Sequence, residues 1–398
     1  MRAARVVIAP DKFKGSLEAP AVARAIADGI LAVRPDAEVD LAPVADGGEG
    51  TLDAALSAGY ERRSATVTGP SSTAVEADWG LRGCEAVIEM ALASGLAVVR
   101  GAPDALRATS RGTGELILAA LDAGATHIVL GVGGSANTDG GAGMLSALGV
   151  RMLDASGSAV ADGGAALVDV VSVDASGLDP RVAGAAFLLA SDVDNPLLGP
   201  QGAAAVFGPQ KGARPEDVVL LELGLSRFAQ AVQAAFDAAG VADAPGAGAA
   251  GGVGFAALAA LDAERRNGID VVLDFTRLHE RLHGADLVVT GEGSIDEQSL
   301  GGKTPVGVAR AAAAVSVPTV AVCGRTTLDQ QRLQDAGFQH TYSLASREPD
   351  REISMRDAAR LLHQVGEEIA ARLPAAGTMA PGDSGTPRTP STTESERA

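Results

Sequence analysis

The chain has 398 residues and a formal net charge of −18 at pH 7, and its composition is 46% hydrophobic but only 3% aromatic. A chain of this length exceeds what one hydrophobic core usually serves, so we expect about two domains. The negative field repels nucleic acid and anionic lipid, and aromatic side chains are too few for base stacking, so these partners are excluded and any anionic substrate must be held by local positive features.

The N-terminal region predicts a β–α–β unit. Residues 6–9 are apolar and predict a strand, residues 19–33 carry apolar side chains at helical spacing, and residues 39–41 predict a second strand. Short apolar strands that alternate with helices are typical of a parallel sheet that is buried on both faces.

Only four lysines occur among the 32 basic residues of the chain. They are Lys12, Lys14, Lys211 and Lys303, and each lies in a glycine-containing turn. A chain that uses Arg elsewhere is expected to keep Lys where a compact, mobile ammonium group is needed, for example beside a phosphate and backbone N–H groups. Chance placement among many glycine-rich turns is the alternative explanation.

An acidic glycine turn follows the second predicted strand and precedes a short helix that begins at Thr51. It contains Asp46, Gly47, Gly48 and Glu49. Glycines let the backbone approach a small ligand, and the N-terminus of a helix presents free N–H groups to a carboxylate or phosphate. The two carboxylates can bind Mg²⁺ or substrate hydroxyls. The alternative is an acidic turn that only caps the helix.

A second glycine-rich loop occupies residues 131–143, between a strand predicted at 128–130 and a helix predicted at 144–148. The loop departs from the dinucleotide-binding spacing because Ala136 replaces a glycine, and residues 246–251, which fit that spacing, do not follow a strand. Clustered glycines nevertheless favour an anion cradle. The residues predicted to bind the phosphates of a nucleotide are Gly133, Gly134, Ser135, Asp139, Gly140 and Gly141.

The last part of the chain repeats the β–α–β pattern, with strands predicted at 287–289 and 318–322 and a helix at 305–314. The loop after the first of these strands carries Glu292, Asp296 and Lys303. It is not a P-loop, because Glu297 stands where that motif requires its first glycine.

Further polar groups follow a strand predicted at 187–189 in the middle of the chain. Asp192 comes directly after this strand, and Lys211 lies in a glycine turn beyond it. Carboxylates and lysines in loops at the carboxyl ends of strands are the groups that Mg²⁺-dependent phosphoryl transfer uses.

We expect a two-lobed α/β fold with the active site in the cleft. Residues 1–69 and 283–373 are predicted to form a Rossmann-like, doubly wound lobe, and residues 70–282 an inserted α/β lobe. Residues 374–398 have almost nothing to bury and are expected to be a disordered tail.

The sequence also favours a cytoplasmic location. The N-terminus lacks the apolar region of a signal peptide, and no stretch reaches the ~20 apolar residues that a membrane span needs. Cys84 and Cys323 are isolated and are predicted to be buried thiols in a reducing compartment.

Six motifs, in this order along the chain, resemble those of the bacterial glycerate kinase family, of the glycerate 2-kinase kind. The likeness extends over about residues 5–372. The motifs are Ala9-Pro10-Asp11-Lys12-Phe13-Lys14-Gly15-Ser16, Ala45-Asp46-Gly47-Gly48-Glu49-Gly50-Thr51, Gly133-Gly134-Ser135, Asp192-Val193-Asp194-Asn195-Pro196, Phe207-Gly208-Pro209-Gln210-Lys211-Gly212, and Thr290-Gly291-Glu292-Gly293 through Gly302-Lys303.

The resemblance implies a kinase, a phosphotransferase with an alcohol acceptor, that uses ATP and Mg²⁺ to convert D-glycerate to 2-phosphoglycerate. Three positions depart from the family pattern: Lys12 stands where Ser is usual, Ser191 where Cys is usual, and Asn137-Thr138 are exchanged. The last two changes keep small polar side chains. The functional role of Lys12 is the one that the departure puts in question.

On this basis each candidate residue receives a predicted role. Asp192 is the base for the glycerate hydroxyl, Lys14 and Lys211 neutralise the transferred phosphate, and Glu292 and Asp296 hold Mg²⁺. Lys303 joins the glycine loop in binding ATP. The residues predicted to orient glycerate are Asp11, Ser16, Asp46, Gly47, Gly48 and Glu49.

Three alternatives stay open at this point: a glycerate 3-kinase product, a nucleotide-dependent oxidoreductase, and a non-catalytic regulator that binds glycerate. A homodimer is also left open.

Overall fold

A computed structural model describes residues 2–373, so the tail predicted at 374–398 lies outside the described residues. The strands, in chain order, are β1 Arg5–Pro10, β2 Glu38–Leu41, β3 Glu61–Thr68, β4 Ala74–Arg82, β5 Glu85–Glu89, β6 His127–Gly131, β7 Arg151–Leu153, β8 Ser172–Asp174, β9 Ala186–Ala190, β10 Glu264–Arg266, β11 Leu287–Ile295, β12 Thr319–Thr326 and β13 Phe338–Ser343.

The α-helices alternate with these strands through much of the chain. They are α1 Ala19–Val33, α2 Thr51–Ser57, α3 Ala91–Ser94, α4 Arg111–Asp122, α5 Ala142–Ala147, α6 Ala203–Phe207, α7 Pro215–Ala235, α8 Val253–Ala260, α9 Gly268–Phe275, α10 Leu278–Leu282, α11 Glu297–Leu300, α12 Thr304–Ala314, α13 Gln330–Asp335, α14 Arg351–Arg356 and α15 Ala358–Arg372.

The first sheet has the order β13-β12-β11-β1-β2, and all neighbouring strands are parallel. Its strands come from the two ends of the chain. Successive residues of β1 point to opposite faces, so Val6 and Ile8 pack with α1 and α15, while Val7 and Ala9 pack with α9 and α12. The sheet is therefore covered by helices on both faces, as the apolar runs predicted.

The second sheet has the order β10-β9-β6-β5-β4-β3. Strands β5, β6, β9 and β10 are parallel, and β3 and β4 extend the sheet as an antiparallel hairpin. Ile88 of β5 pairs with Leu130 of β6, which pairs in turn with Leu189 of β9, and all three lie in one core with α4, α5 and α7.

The two sheets share a layer of side chains. Val87 of β5 and Ala190 of β9 belong to the same buried cluster as Val7 and Val288 of the first sheet. Helix α9 contributes Val272 to this cluster. The carboxyl ends of parallel strands from both sheets therefore lie near one another, and the α/β fold class is confirmed.

Several elements differ from the sequence predictions. Strand β11 continues to Ile295, well beyond the predicted end at residue 289, because Glu292 and Ser294 pair with Cys323 and Arg325 of β12. The hairpin of β3 and β4 was not predicted. The boundary at residues 69 and 70 stays a prediction, but sheet pairing assigns β3 to the second sheet.

One further prediction is wrong. Cys84 is exposed rather than buried, since it lies in the turn between β4 and β5, whereas Cys323 is buried as expected.

Among the described residues, α7 is the one helix long and apolar enough to cross a membrane by length and composition alone. Leu221, Leu225 and Phe228 of α7 are fully buried in the protein core, and helices that pack in a protein core can have the same length and apolar composition as membrane-spanning helices.

Candidate functional site

A cavity of about 910 Å³ lies where loops of both sheets meet. Its walls follow the carboxyl ends of β1, β6, β11 and β12. The lining residues that belong to predicted motifs are Asp11, Lys12, Phe13, Lys14, Gly15, Ser16, Asp46, Gly48, Glu49, Gly133, Gly134, Glu292, Gly293, Ser294, Asp296 and Lys303. This position agrees with the general rule that ligands of α/β proteins bind outside the carboxyl ends of strands.

Glycines allow the loops of the two sheets to touch through their backbones. A Cβ atom added to Gly133 would lie 2.5 Å from the Cα of Gly48, and one added to Gly131 would lie 2.7 Å from the carbonyl oxygen of Gly47. On its other side Gly47, whose φ is +84°, packs against Gly268 and the carbonyl of Ala190. Side chains larger than hydrogen would separate these loops.

Asp46 is the centre of a group of carboxylates. Burial, together with the charge of Asp46, raises the pKa of Asp11 to about 7, although Asp11 accepts hydrogen bonds from Thr304 Oγ1 at 2.7 Å and from the N–H of Lys12 at 2.6 Å. Burial likewise raises the pKa of Glu292 to about 7, with a smaller contribution from Asp46. These groups repel one another in the absence of a cation.

Asp192 belongs to the same electrostatic environment, although it is not among the lining residues of the cavity. Its Oδ1 accepts a hydrogen bond from the N–H of Gly268 at 2.7 Å. The side chain keeps access to solvent, yet partial burial by the surrounding protein, together with the charge of Asp46, raises the pKa of Asp192 to about 6.

Positive charges line the same cavity. Lys12 is occupied, because its Nζ lies 2.8 Å from Glu49 Oε2 and donates to the Glu49 carbonyl at 2.6 Å. Lys14, Arg325 and Arg351 line the cavity and form no ion pair with any described residue. Unpaired cations beside a cavity are available to an anionic ligand.

Magnesium fits the chemistry of this site. Glu292 and Asp296 line the cavity, and mutual repulsion among the carboxylates is what a divalent cation would relieve. No group of three or more His, Cys, Asp or Glu side chains within the described part of the chain could hold a metal alone. Magnesium commonly uses only one or two carboxylates together with substrate phosphates, so the donor set is sufficient.

Part of the predicted glycine loop does not reach the cavity. Gly133 and Gly134 line it, but Ser135, Asp139, Gly140 and Gly141 are buried behind it. Gly140 and Gly141 pack against Phe228 and Ala256, respectively.

Asp139 organises this loop from the inside. It is completely buried, and its carboxylate accepts hydrogen bonds from the N–H and the hydroxyl of Ser110, the side chain of Asn137, and the N–H groups of Gly141 and Gly143. These bonds leave it little capacity for a ligand.

Lys211 is also absent from the lining of the cavity. Its side chain is 1% exposed, and Nζ donates to Ser135 Oγ at 2.9 Å and to the Asn137 carbonyl at 2.6 Å. Burial lowers the pKa of Lys211 to about 7, while the charge of Asp139 opposes this shift. The structure therefore does not bring Lys211 to a position where it would touch a ligand in the cavity.

Sequence analysis missed three residues that shape the site. Arg325 and Arg351 line the cavity, and Glu89 accepts hydrogen bonds from the N–H groups of Gly50 and Leu52, which fixes the acidic turn. Arg325 and Glu89 lie at or near the carboxyl ends of β12 and β5, which is a usable signal. No sequence signal distinguishes Arg351 from other surface arginines.

The glycine spacing at residues 246–251 serves packing. A Cβ atom on Gly248 would collide with the carbonyl of Pro196, and one on Gly251 would collide with the carbonyl of Asn137. Neither glycine lines the cavity.

Comparisons with known proteins give a consistent result. The family model described as "Glycerate kinase family" matches residues 6–374. A glycerate 2-kinase of Escherichia coli K12 is 45% identical over 93% of the chain and 98% of its own length, and a glycerate kinase of Bacillus subtilis 168 is 45% identical over 94% and 99%. A crystal structure from Salmonella typhimurium LT2, described as a glycerate kinase 2, superposes with a TM-score of 0.82 at 43% identity and covers 94% of this chain and 98% of that one.

Proposed function

This chain belongs to the glycerate kinase family, and on that premise we propose that it transfers the terminal phosphoryl group of ATP to the 2-hydroxyl of D-glycerate, giving 2-phosphoglycerate. The observation that supports this most directly is the cavity itself, which is lined both by carboxylates around Asp46 and by the unpaired cations Lys14, Arg325 and Arg351. Phosphoryl transfer depends mainly on such positioning and charge compensation.

In this proposal the first sheet supplies most of the charge. Lys14, Arg325 and Arg351 offset the charge of the ATP phosphates, and Lys303 adds to them at the N-terminus of α12. Glu292 and Asp296 would hold Mg²⁺, which when bound shields the phosphate charge and orients the transferred group. The backbone of Gly133 and Gly134 approaches the phosphates from the second sheet.

The acceptor is proposed to lie beside the acidic turn. Asp46, Gly48 and Glu49 line the cavity there, together with Asp11 and Ser16. Asp192 is proposed as the base that takes the proton of the hydroxyl. Its pKa of about 6 suits this role, because a base with a pKa near the working pH is both deprotonated and a competent acceptor.

The family membership removes one earlier alternative, since these proteins are phosphotransferases and not oxidoreductases. A glycerate 3-kinase product and a non-catalytic binder remain as outcomes of the test. We propose a cytoplasmic location, where ATP is abundant. Cys84 and Cys323 are free thiols, which accords with a reducing compartment.

The test is an ADP-release assay on the purified chain with ATP, Mg²⁺ and either D-glycerate or L-glycerate, followed by phosphorus NMR of the product. We expect ADP release that depends on D-glycerate and a 2-phosphoglycerate resonance. A 3-phosphoglycerate resonance would overturn the regiochemistry. Binding of D-glycerate without ADP release would overturn the catalytic proposal.

A further inference from the structure

The most unusual side chain outside the cavity is the buried ammonium group of Lys211. It lies in the turn after α6, with 1% of its surface exposed. Within residues 2–373 no carboxylate forms an ion pair with Lys211, whose Nζ donates instead to the hydroxyl of Ser135 and the carbonyl of Asn137. Burying a charge without a directly paired counter-charge is unfavourable, and an apolar side chain would fill a core position at lower cost.

The two acceptors of Lys211 belong to the loop that reaches the cavity. Ser135 directly follows the lining residues Gly133 and Gly134, and Asn137 lies two residues further along the chain. The hydrogen bonds therefore hold this segment from the side opposite the cavity. The amide of Asn137 is held as well, because it donates to Asp139 Oδ1 and to the carbonyl of Ala250.

The opposite side of the same segment is held by contact. Gly133 lies against Gly48 with no space for a side chain. The backbone of Gly133 and Gly134 is thus fixed between the acidic turn on one side and Lys211 on the other. A displacement of this segment would alter the distance between its backbone and any phosphate in the cavity.

Taking the proposed function as the premise, we infer that Lys211 is a positioning residue for nucleotide binding. It holds residues 133–137 in the conformation that receives the ATP phosphates, and its charge adds a positive potential behind that backbone without touching the ligand. Binding of glycerate, which we place beside the acidic turn, depends much less on Lys211.

The test measures the KM for ATP, the KM for D-glycerate, and the dissociation constant of ATP in the absence of glycerate. In Lys211→Met we expect the KM and the dissociation constant of ATP to rise about tenfold or more, since displacement of a binding segment by ~1 Å has effects of this order or larger. The KM for D-glycerate should change less than threefold. Lys211→Arg, which keeps the charge, should recover part of the ATP affinity.

Val232→Ala is the matched control. Val232 is fully buried in the same core on α7 and forms no side-chain hydrogen bond to the loop. This variant should lose thermal stability without a change in either KM. If Lys211→Met and Val232→Ala shift the two KM values alike, or if the ATP affinity of Lys211→Met equals that of the wild type, the inference is wrong.

A second variant and a pH profile cover the case in which Lys211→Met does not fold. Ser135→Ala removes one acceptor and should raise the dissociation constant of ATP two- to fivefold. Asp139 is the charged group that acts on Lys211, and burial lowers the Lys211 pKa to about 7, so ATP affinity should fall above that pH more steeply in the wild type than in Lys211→Arg, whose guanidinium stays protonated. Asp11 and Glu292 ionise over the same range in both proteins, so the difference between the two profiles reports on Lys211. Unchanged affinity in Ser135→Ala, together with identical pH profiles in the wild type and Lys211→Arg, would refute the inference.

The outcomes also separate this inference from the proposed function. A wild-type chain that binds ATP but does not phosphorylate glycerate overturns the function, while the ATP-binding measurements still decide the role of Lys211. A wild-type chain that is active, combined with unchanged ATP binding in Lys211→Met, overturns the role of Lys211 alone.

Discussion

The contact between Gly133 and Gly48 leads to a sharp prediction for Gly133→Ala. The added Cβ would lie 2.5 Å from the Gly48 Cα, whereas carbon atoms in contact are normally about 3.5–4.0 Å apart. The loops must therefore separate by roughly 1 Å. Gly133 does not adopt a positive φ, so alanine introduces no backbone strain and acts through this contact alone.

Stability and activity should respond very differently to this methyl group. Overpacking of this kind typically costs ~1–3 kcal/mol of unfolding free energy. A ~1 Å misplacement of groups that position a substrate can cost ~10²-fold in rate. We therefore expect a folded protein whose kcat/KM for ATP is reduced by about two orders of magnitude.

The assay combines thermal unfolding with ADP-release kinetics, and Gly184→Ala serves as the control. Gly184 is exposed, has no positive φ, and an added Cβ there meets no atom within 4 Å. That variant should match the wild type in both measurements. Wild-type kcat/KM in a folded Gly133→Ala protein would refute the idea that the loops must touch through their backbones.

Three further predictions follow from the charges of the site. Asp192→Asn should lower kcat by ~10²–10⁴-fold, and a variant with full kcat would show that Asp192 is not the base. The pKa of Asp192 is raised to about 6, so the wild-type rate should fall as the pH drops through that value and the carboxylate becomes protonated. Lys14→Met should raise the KM for ATP about tenfold or more, because the Lys14 ammonium group lines the cavity without an ion-pair partner. The control is Arg24→Met, which removes an exposed cation on α1 and should leave the KM for ATP unchanged. Equal effects in the two variants would show that net charge alone matters. Chelation by EDTA should abolish ADP release, and added Mg²⁺ should restore it. Glu292→Gln should raise the Mg²⁺ concentration that gives the half-maximal rate. Turnover that persists in EDTA would contradict the magnesium proposal.

Local sequence patterns were sufficient for much of the first sheet. The helix predicted at residues 19–33 has the same bounds in the structure, because the apolar spacing of Val22, Ile26 and Ile30 is helical and Pro35 follows its end. The strands at 6–9 and 39–41 were each extended by one or two residues in the structure. Buried parallel strands and amphipathic helices carry their signal within a short window.

Elements that depend on distant partners were not predictable in this way. Strand β11 includes the residues around Glu292, which a local pattern assigns to a loop, because β12 supplies the pairing partners about 30 residues later. The hairpin strand β3 is largely exposed and rich in charge, so it lacks the alternation that marks a half-buried strand.

The candidate site, like the fold, was predictable only in part. The motifs that approach the cavity follow strands, and their meeting at one edge of the sheets was predictable from topology. The sequence did not predict which residues of each motif line the cavity and which are buried behind it. Charged residues are almost always exposed, so the sequence gives no indication that Lys211 is buried or that Asp139 is saturated with hydrogen bonds inside the loop.

The glycine contacts explain why neither sheet could form this site alone. The first sheet contributes the charged groups, among them Lys14 and Glu292, while the second contributes the backbone of Gly133 and, in the proposed mechanism, the carboxylate of Asp192. These groups act on one ligand only if the loops approach to backbone contact, which side chains at Gly47 or Gly133 would prevent. Glycine at these positions is therefore a geometric requirement of the site, so that substitutions which leave every charged residue in place should still impair nucleotide binding.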